Sequence, residues 1–403
     1  MRDEIKNFVQ FIKEQGLYPD TPVIEGPSTD PEILINGKKF LIFCSNNYLG
    51  MANKDFLKDA AIECIKKYGV GPAGARLMAG NLDIYNELEK TIADFLNKED
   101  AMIFSTGYAA NLGAIKALVD PLMGDQPFKK GDSVIFSDEL NHTSIIQGCK
   151  LSSAERIIYK HNDVQDLEQK IKNFPNEKRK LIITDGVFSM DGDIAPLGDI
   201  VLVARKYNAS VMVDDAHGIG VLGKTGKGTE EYFNLNNHNN HNNDIVMGTL
   251  VKAFGTMGGF IAGAKDLIEY LKISAKTYIF SVPMSPVMAG ASIEAIKYVK
   301  QHPEVIQNLI SNADYLREEL NKMGYNTLTS QSPIIPVLLG TEKTAINFAK
   351  DLMENGIYIP AIRWPAVDKN RSRIRISVMA HHKKEHLDRL LEIMKDLKKK
   401  YFK

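Results

Sequence analysis

A lysine flanked by small residues stands in TLVKAFGTMGG (249–259), a few positions past a short apolar run. Desolvation near a buried strand end disfavours an ammonium, and a lysine tuned in this way can form a Schiff base with an aldehyde. Alone, Lys252 would read as an ordinary surface lysine; its company changes that. In SVMVDDAHGIGVLG (210–223), Asp214 closes another apolar run and His217 follows three residues later. A carboxylate there can keep a pyridine nitrogen protonated, the contact that makes pyridoxal 5'-phosphate an electron sink, while the histidine can hydrogen-bond the ring's phenolic oxygen. An Asp–His pair also suits a metal site or a turn cap, but no third ligand has convincing spacing, so no metal is expected.

Three further segments add polar groups at the ends of apolar runs. AMIFSTGYAANLGAIKAL (101–118) reads as strand, turn and helix, with Thr106, Gly107 and Tyr108 where free backbone amides and the helix dipole favour a phosphate. It carries neither a Walker GKS/GKT nor GxGxxG, and an ordinary capped helix is the competing reading. In DELNHTS (138–144), His142 can lie flat over a planar ring, against a default of a satisfied structural histidine. TDGVFSMDGD (184–193) places Ser189 in a loop dense with carboxylates; Asp185, Asp191 and Asp193, with Asp199 beyond, lack the ligand count of a calcium loop and read mostly as loop-ordering residues.

These segments follow runs that must be strands. AMIFS (101–105), SVIFS (133–137), KLIIT (180–184), SVMVD (210–214) and DIVMG (244–248) are short and continuously apolar, as strands buried on both faces are, and helical patterns alternate with them. An α/β fold with a mostly parallel central sheet and helices on both faces follows, with ligands beyond the carboxyl ends of the strands. After residue 285 the pattern changes to long charged helices, two strand-like runs (334–339 and 373–379) and a last helix, a smaller C-terminal α+β domain. The expected division is 1–45, an N-terminal helix and short strand segment; 46–285, a large cofactor-binding domain; and 286–403. The stretch 234–244, rich in Asn and His, reads as a polar loop, and the Lys-rich C-terminus as a solvated helix end.

Composition narrows the setting. The chain has 403 residues, too long for one compact unit at roughly 150 per domain. Fifty basic residues balance fifty acidic ones, leaving no general field for nucleic acid or an anionic membrane. Three scattered cysteines form no disulfide framework, which suits a reducing cytoplasm. Ile5, Phe8, Val9 and Ile12 recur at helical spacing among charges of both signs, unlike a signal peptide, and no run approaches the roughly 20 apolar residues of a membrane span.

Taken together, STGYAAN, NHTS, TDGVFSMDGDIAPL, VDDAHGIGVLG and TLVKAFGTMGG resemble the α-oxoamine synthase family of pyridoxal-phosphate enzymes, from SNNYLG (45–50) to RIRISVMAHH (373–382). The resemblance implies the fold called type I for this cofactor and a homodimer with shared active sites. It implies condensation of a small amino acid with an acyl thioester, usually of coenzyme A, with release of carbon dioxide in most members. By motif, Lys252 would be the Schiff-base lysine, Asp214 the partner of the pyridine nitrogen, His142 the stacking residue, and Ser189 and His217 the contacts of the phenolic oxygen. Thr106, Gly107, Tyr108 and Thr249 would hold the phosphate, with Ser281 of the partner subunit. Asn47 and Arg375 would bind the substrate carboxylate, the guanidinium through two parallel hydrogen bonds.

Branches of the family differ in substrate. AIRWPAV (361–367), with Arg363 as a further substrate-binding candidate, resembles a segment of the branch that joins L-alanine to a pimeloyl thioester on coenzyme A or an acyl carrier protein. Ala75 leaves space where relatives restricted to glycine carry a larger side chain. The sequence departs from the family at Val251, where serine or glycine is usual, at Tyr85, where histidine is common, and at Val367–Asn370 in place of V-P-x-G. Branches taking glycine or serine are the alternatives, followed by an aminotransferase on the same fold and a non-catalytic partner subunit.

Overall fold

A computed structural model describes residues 1–18, 21–235 and 245–402. The chain begins with a helix, Arg2–Glu14, none of whose residues is buried. A small antiparallel sheet follows, with β1 (Ile24–Glu25), β2 (Glu32–Ile35) and β3 (Lys38–Ile42).

The central sheet has seven strands: β4 (Asp100–Phe104), β5 (Ser133–Asp138), β6 (Glu155–Tyr159), β7 (Arg179–Asp185), β8 (Ser210–Asp214), β9 (Ile245–Thr249) and β10 (Gly259–Gly263). They lie in the order β4-β10-β9-β8-β7-β5-β6, parallel from β9 to β6, with β10 antiparallel to both neighbours. The five runs expected from sequence are all strands, and the sheet is mostly parallel with helices on both faces. Residue 244, the first of the run expected at 244–248, and most of the polar stretch 234–244 lie outside the described residues.

Alternation along the strands divides the core between the two faces. Ala101, Ile103, Val134, Phe136, Ile182, Val211, Val213 and Val246 point to one side, with Leu88, Ile92, Ile200, Ile293 and Ile296 of the helices Asp83–Leu96, Leu197–Lys206 and Pro286–Gln301. Met102, Phe104, Ile135, Ile183, Met212 and Met247 point to the other, against Ala114, Ile115, Ile145 and Leu271 of the helices Gly107–Val119, Thr143–Leu151 and Lys265–Ser274. Ile135 and Ile183 are completely buried, and truncation of either to alanine costs about 2–5 kcal/mol in such a setting.

The C-terminal part has its own antiparallel sheet. β11 (Ile334–Gly340) pairs with β14 (Ser372–Ser377), which pairs with β13 (Ala361–Ile362). The short β12 (Ile357–Tyr358) instead joins β3 in parallel, tying the end of the chain to its beginning. Among the described residues no helix is long and apolar enough to cross a membrane, and no group of three His, Cys, Asp or Glu side chains could hold a metal.

Candidate active site

At the carboxyl ends of β7, β8 and β9, side chains leave the apolar sheet and enclose a cavity of about 190 Å³. That is below the roughly 300–1,000 Å³ of drug-sized ligand sites and suits one substituted aromatic ring. Gly107, Tyr108, His142, Ser189, Asp214, His217, Thr249 and Lys252 all line it, so eight of the residues singled out by sequence meet around one space.

Asp214 ends β8, where its Oδ1 accepts the Ala216 backbone N–H at 3.1 Å and its Oδ2 accepts Asn111 Nδ2 at 2.7 Å. The same Asn111 amide donates to Ser144 Oγ at 2.8 Å, and Ser144 Oγ lies 2.7 Å from His142 Nδ1. One helix residue thus ties the carboxylate on the sheet to the imidazole at the cavity wall. His142 caps the helix Thr143–Leu151, accepting Ser144 N–H at its Nδ1. Burial lowers the His142 pKa, with Asp214 opposing the fall and Lys252 adding to it.

His217 is set from the opposite side. Its Nδ1 lies 2.7 Å from the Tyr48 hydroxyl, and Arg375 Nη2 donates to that hydroxyl oxygen at 3.2 Å. The guanidinium can only donate, and of the two acceptors within reach of the tyrosine proton His217 Nδ1 at 2.7 Å is much nearer than Asn46 Oδ1 at 3.4 Å, which assigns Nε2 as the protonated nitrogen of His217. Burial, then the Lys252 and Arg375 charges, holds this imidazole well below its usual pKa, and it is neutral. Burial also pulls Lys252 down to about 8, against Asp214 and Asp185 and with help from Arg375.

Two glycines shape the start of the helix Gly107–Val119. A Cβ on Gly259 of β10 would sit 2.4 Å from Gly107 Cα, so the strand can approach the helix N-terminus only without a side chain. Thr106 caps that helix, its Oγ1 accepting Ala109 N–H at 3.1 Å, and does not line the cavity. With Ala109 and Ala110 N–H both bonded to Thr106, the N–H groups of Gly107 and Tyr108 remain to receive an anion. Thr249 Oγ1 donates to the Gly258 carbonyl at 2.9 Å. Anion cradle, ring-sized space, buried carboxylate and half-buried lysine together fit the donor set pyridoxal phosphate requires.

Four other candidates lie outside this cavity's lining. Asn47, the last residue of SNN, is buried at the start of the turn: its amide donates to Thr29 O at 2.9 Å and its oxygen accepts Met51 N–H at 3.0 Å, while Asn46 Oδ1, one residue earlier, meets Arg375 Nη1 at 3.2 Å. Arg375 also donates to the Ser189 carbonyl and to Ser377 Oγ. With Tyr48 included, four of its five N–H groups are engaged, so two parallel bonds to a carboxylate would require it to release one partner. Arg363 donates to Leu17 O at 2.6 Å, joining β13 to the N-terminal segment. Ser281 lies on the segment after the short helix Lys276–Ile279, its hydroxyl 3.4 Å from Val282 O.

Asn46, Tyr48, Asn111, Ser144 and Asp185 were not singled out as site residues. Tyr48 sits inside the quoted SNNYLG, and Asn111 lies one helical turn beyond Gly107, the two sequence signals that could have found them. At Tyr85, the hydroxyl donates to Met284 O at 2.7 Å. Arg76 spans the rings of Tyr85 and Tyr278 and makes a buried two-pronged pair with Glu89 at 3.0 and 3.1 Å.

Comparison with known proteins shows the family and the fold. A sequence model of the aminotransferase class I and II family matches residues 38–394. The chain is 46% identical to an 8-amino-7-oxononanoate synthase of Thermosipho melanesiensis over 392 residues, 97% of this chain and 96% of that protein. A serine palmitoyltransferase of S. paucimobilis, solved with PLP joined to myriocin, superposes with a TM-score of 0.91 at 31% identity, over 99% of this chain and 98% of that one. An 8-amino-7-oxononanoate synthase of Francisella tularensis superposes at 0.74 with 27% identity, over 90% of this chain and 99% of that one.

Proposed function

The chain belongs to the aminotransferase class I and II family, and within it to the α-oxoamine synthases, and we propose that it joins a small amino acid, L-alanine in preference, to an acyl thioester with loss of carbon dioxide. The observation that carries this reading is the 46% identity to an 8-amino-7-oxononanoate synthase along nearly the whole of both chains. The higher superposition on a serine palmitoyltransferase concerns the course of the backbone, whereas substrate choice is made by side chains, where identity falls to 31%. By resemblance to the family, Ala75 stands where relatives restricted to glycine carry a larger side chain, which favours an amino acid with a methyl or hydroxymethyl group. A pimeloyl thioester, on coenzyme A or a carrier protein, is the favoured acyl donor; glycine or serine branches of the family are the alternative.

Pyridoxal phosphate, when bound, supplies a covalent handle for the amino acid and an electron sink for the carbanion formed at its α-carbon. The protein's own groups do the rest. Lys252, whose amine becomes neutral near pH 8, is the group able to attack an aldehyde and, once freed, to take a proton from the α-carbon. Asp214, held by Asn111 and Ala216, presents its carboxylate where a pyridine nitrogen must stay protonated. His142 closes one face of the cavity, and His217 offers Nε2–H to a phenolic oxygen. Gly107 and Tyr108 present backbone N–H groups to a phosphate. The Arg375 guanidinium, anchored by Ser189, Asn46, Ser377 and Tyr48, keeps one N–H for the substrate carboxylate.

A cleft of about 690 Å³ adjoins the cavity at Ser189 and is lined by Leu140, Phe188, Thr329, Ala366, Val367 and Arg371 among others. It supports entry of a long acyl chain past the loop that departs from the family at Val367–Asn370. The protein acts as a homodimer in the cytoplasm on this reading.

The test is the visible spectrum of the holoenzyme with L-alanine or glycine, with and without pimeloyl-coenzyme A. A response to L-alanine that the thioester then changes supports the reading; a response to glycine alone moves the function to the glycine branch.

A further inference from the structure

Asp185 is the one carboxyl group lining the cavity that neither the sequence motifs nor the mechanism above assigns. It ends β7 beside Asp214, the two being register partners on adjacent parallel strands. Its position is fixed twice: its backbone N–H donates to Asn141 Oδ1 at 2.9 Å, and its Oδ2 accepts the backbone N–H of His142 at 2.7 Å. Asn141 in turn donates to the Ile183 carbonyl and to Ser137 Oγ, locking the ends of β5 and β7 together. Asp185 is 6% exposed, and its Oδ1 accepts no hydrogen bond from the described residues.

The two carboxyl groups are therefore unequal. Asp214 receives a side-chain amide and a backbone N–H on separate oxygens. Asp185 receives one backbone N–H and otherwise faces the cavity. Two adjacent buried carboxylates cannot both keep their charge cheaply, and the proton settles on the one with fewer donors. The charged and titratable groups around Asp185 are Asp214 and Asp138 on the neighbouring strands, Tyr159 at the end of β6, His142 on the helix it caps, and Lys252 across the cavity. Burial and then Asp214 push its pKa well above the usual carboxylate range, with the His142 N–H and Lys252 opposing and Asp138 adding to the rise.

We propose that Asp185 is a neutral carboxylic acid of the cofactor cavity, a positioning residue that suspends His142 by its backbone N–H and presents an O–H donor to an acceptor atom of the bound ring. Neutrality matters for Lys252: the ionised Asp214 already opposes loss of its proton, and an ionised Asp185 would oppose it further, so a neutral Asp185 leaves the amine freer to form. The proposal rests on the pyridoxal-phosphate reading of the site.

The experiment is infrared difference spectroscopy on the holoenzyme at about pH 8, paired with a pH titration of its visible spectrum, for wild type and Asp185→Asn. A protonated-carboxyl stretch is expected in wild type and absent from the variant. The spectral midpoint should move by much less than the roughly 1–3 units that loss of a neighbouring ionised carboxylate produces. Asp185→Asn keeps the shape and both bonding partners, and Asp185→Ala should release cofactor several-fold more readily because both the O–H donor and the acceptor of the His142 N–H are gone. A wild-type spectrum without a protonated-carboxyl stretch overturns the proposal whether or not either variant folds. So does a midpoint that falls by a unit or more in Asp185→Asn. Failure of the wild-type protein to hold pyridoxal phosphate at all would instead sink the cofactor reading, and the visible spectrum reports that separately.

Discussion

His161 stands between two carboxylates, its Nδ1 3.0 Å from Asp138 and its Nε2 2.7 Å from Asp193, with its ring edge-on to Phe188 at 4.4 Å. It thereby ties the end of β5 to the loop that carries Ser189. Burial alone would lower its pKa, but the bonds to Asp138 and Asp193 outweigh burial and push it up to about 9. A group raised in this way contributes stability that is complete below its unfolded value near 6.5 and is lost as the pH rises through about 9. The rise of about 2.5 units corresponds to about 3.4 kcal/mol, which screening at a side chain 21% exposed brings to about 2 kcal/mol. His161→Gln keeps a polar side chain and removes the charge. In urea unfolding with cofactor held in excess, the gap between wild type and variant should be about 2 kcal/mol wider at about pH 6 than at about pH 10. Other titrating groups are common to both proteins and cancel. An equal gap at the two pH values would refute the reasoning, because the imidazolium would then contribute nothing beyond its packing.

Lys252→Ala should fold with an unchanged circular dichroism spectrum and lose turnover by several orders of magnitude; retained turnover would remove the cofactor assignment. In cofactor-free protein, the rate at which Lys252 couples to added pyridoxal phosphate should climb as the pH rises toward about 8 and level off above it, since only the free amine attacks. A flat stopped-flow profile would show that another group limits the step. Arg375→Ala should raise KM for the amino acid about 10- to 100-fold, the worth of a hydrogen bond to a charged group, with a smaller change in kcat; an unaltered KM would mean the carboxylate lies elsewhere. Gly259→Ala drives a methyl into Gly107 and should weaken retention of the cofactor about tenfold, read by equilibrium dialysis.

The central strands were legible because burial on both faces makes them continuous apolar runs, and KLIIT and SVMVD needed no long-range information. β6 and β10 were not. The first is an edge strand with ERIIY largely exposed, and the second begins and ends with glycine, so neither carries the buried-strand signature. The pairing of β12 with β3 joins residues more than 300 positions apart, which no local pattern records. At the site, residues at strand ends were found because the chemistry concentrates there. Asn111 and Tyr48 escaped because they act through other side chains, and Asp185 because a carboxyl among four in one loop region reads as one more turn former. The expectation of Asn47 near the carboxylate site differs from the geometry by one residue: Asn46 faces Arg375 while Asn47 holds the turn.

The most direct test of decarboxylative condensation uses L-alanine labelled at its carboxyl carbon with pimeloyl-coenzyme A and the purified holoenzyme, measuring labelled carbon dioxide and free thiol together. The account expects one labelled carbon dioxide for each thiol released, an aminoketone without label, and no gas when the thioester is left out. Label retained in the organic product, or conversion of the cofactor to pyridoxamine phosphate with no thiol released, would contradict it.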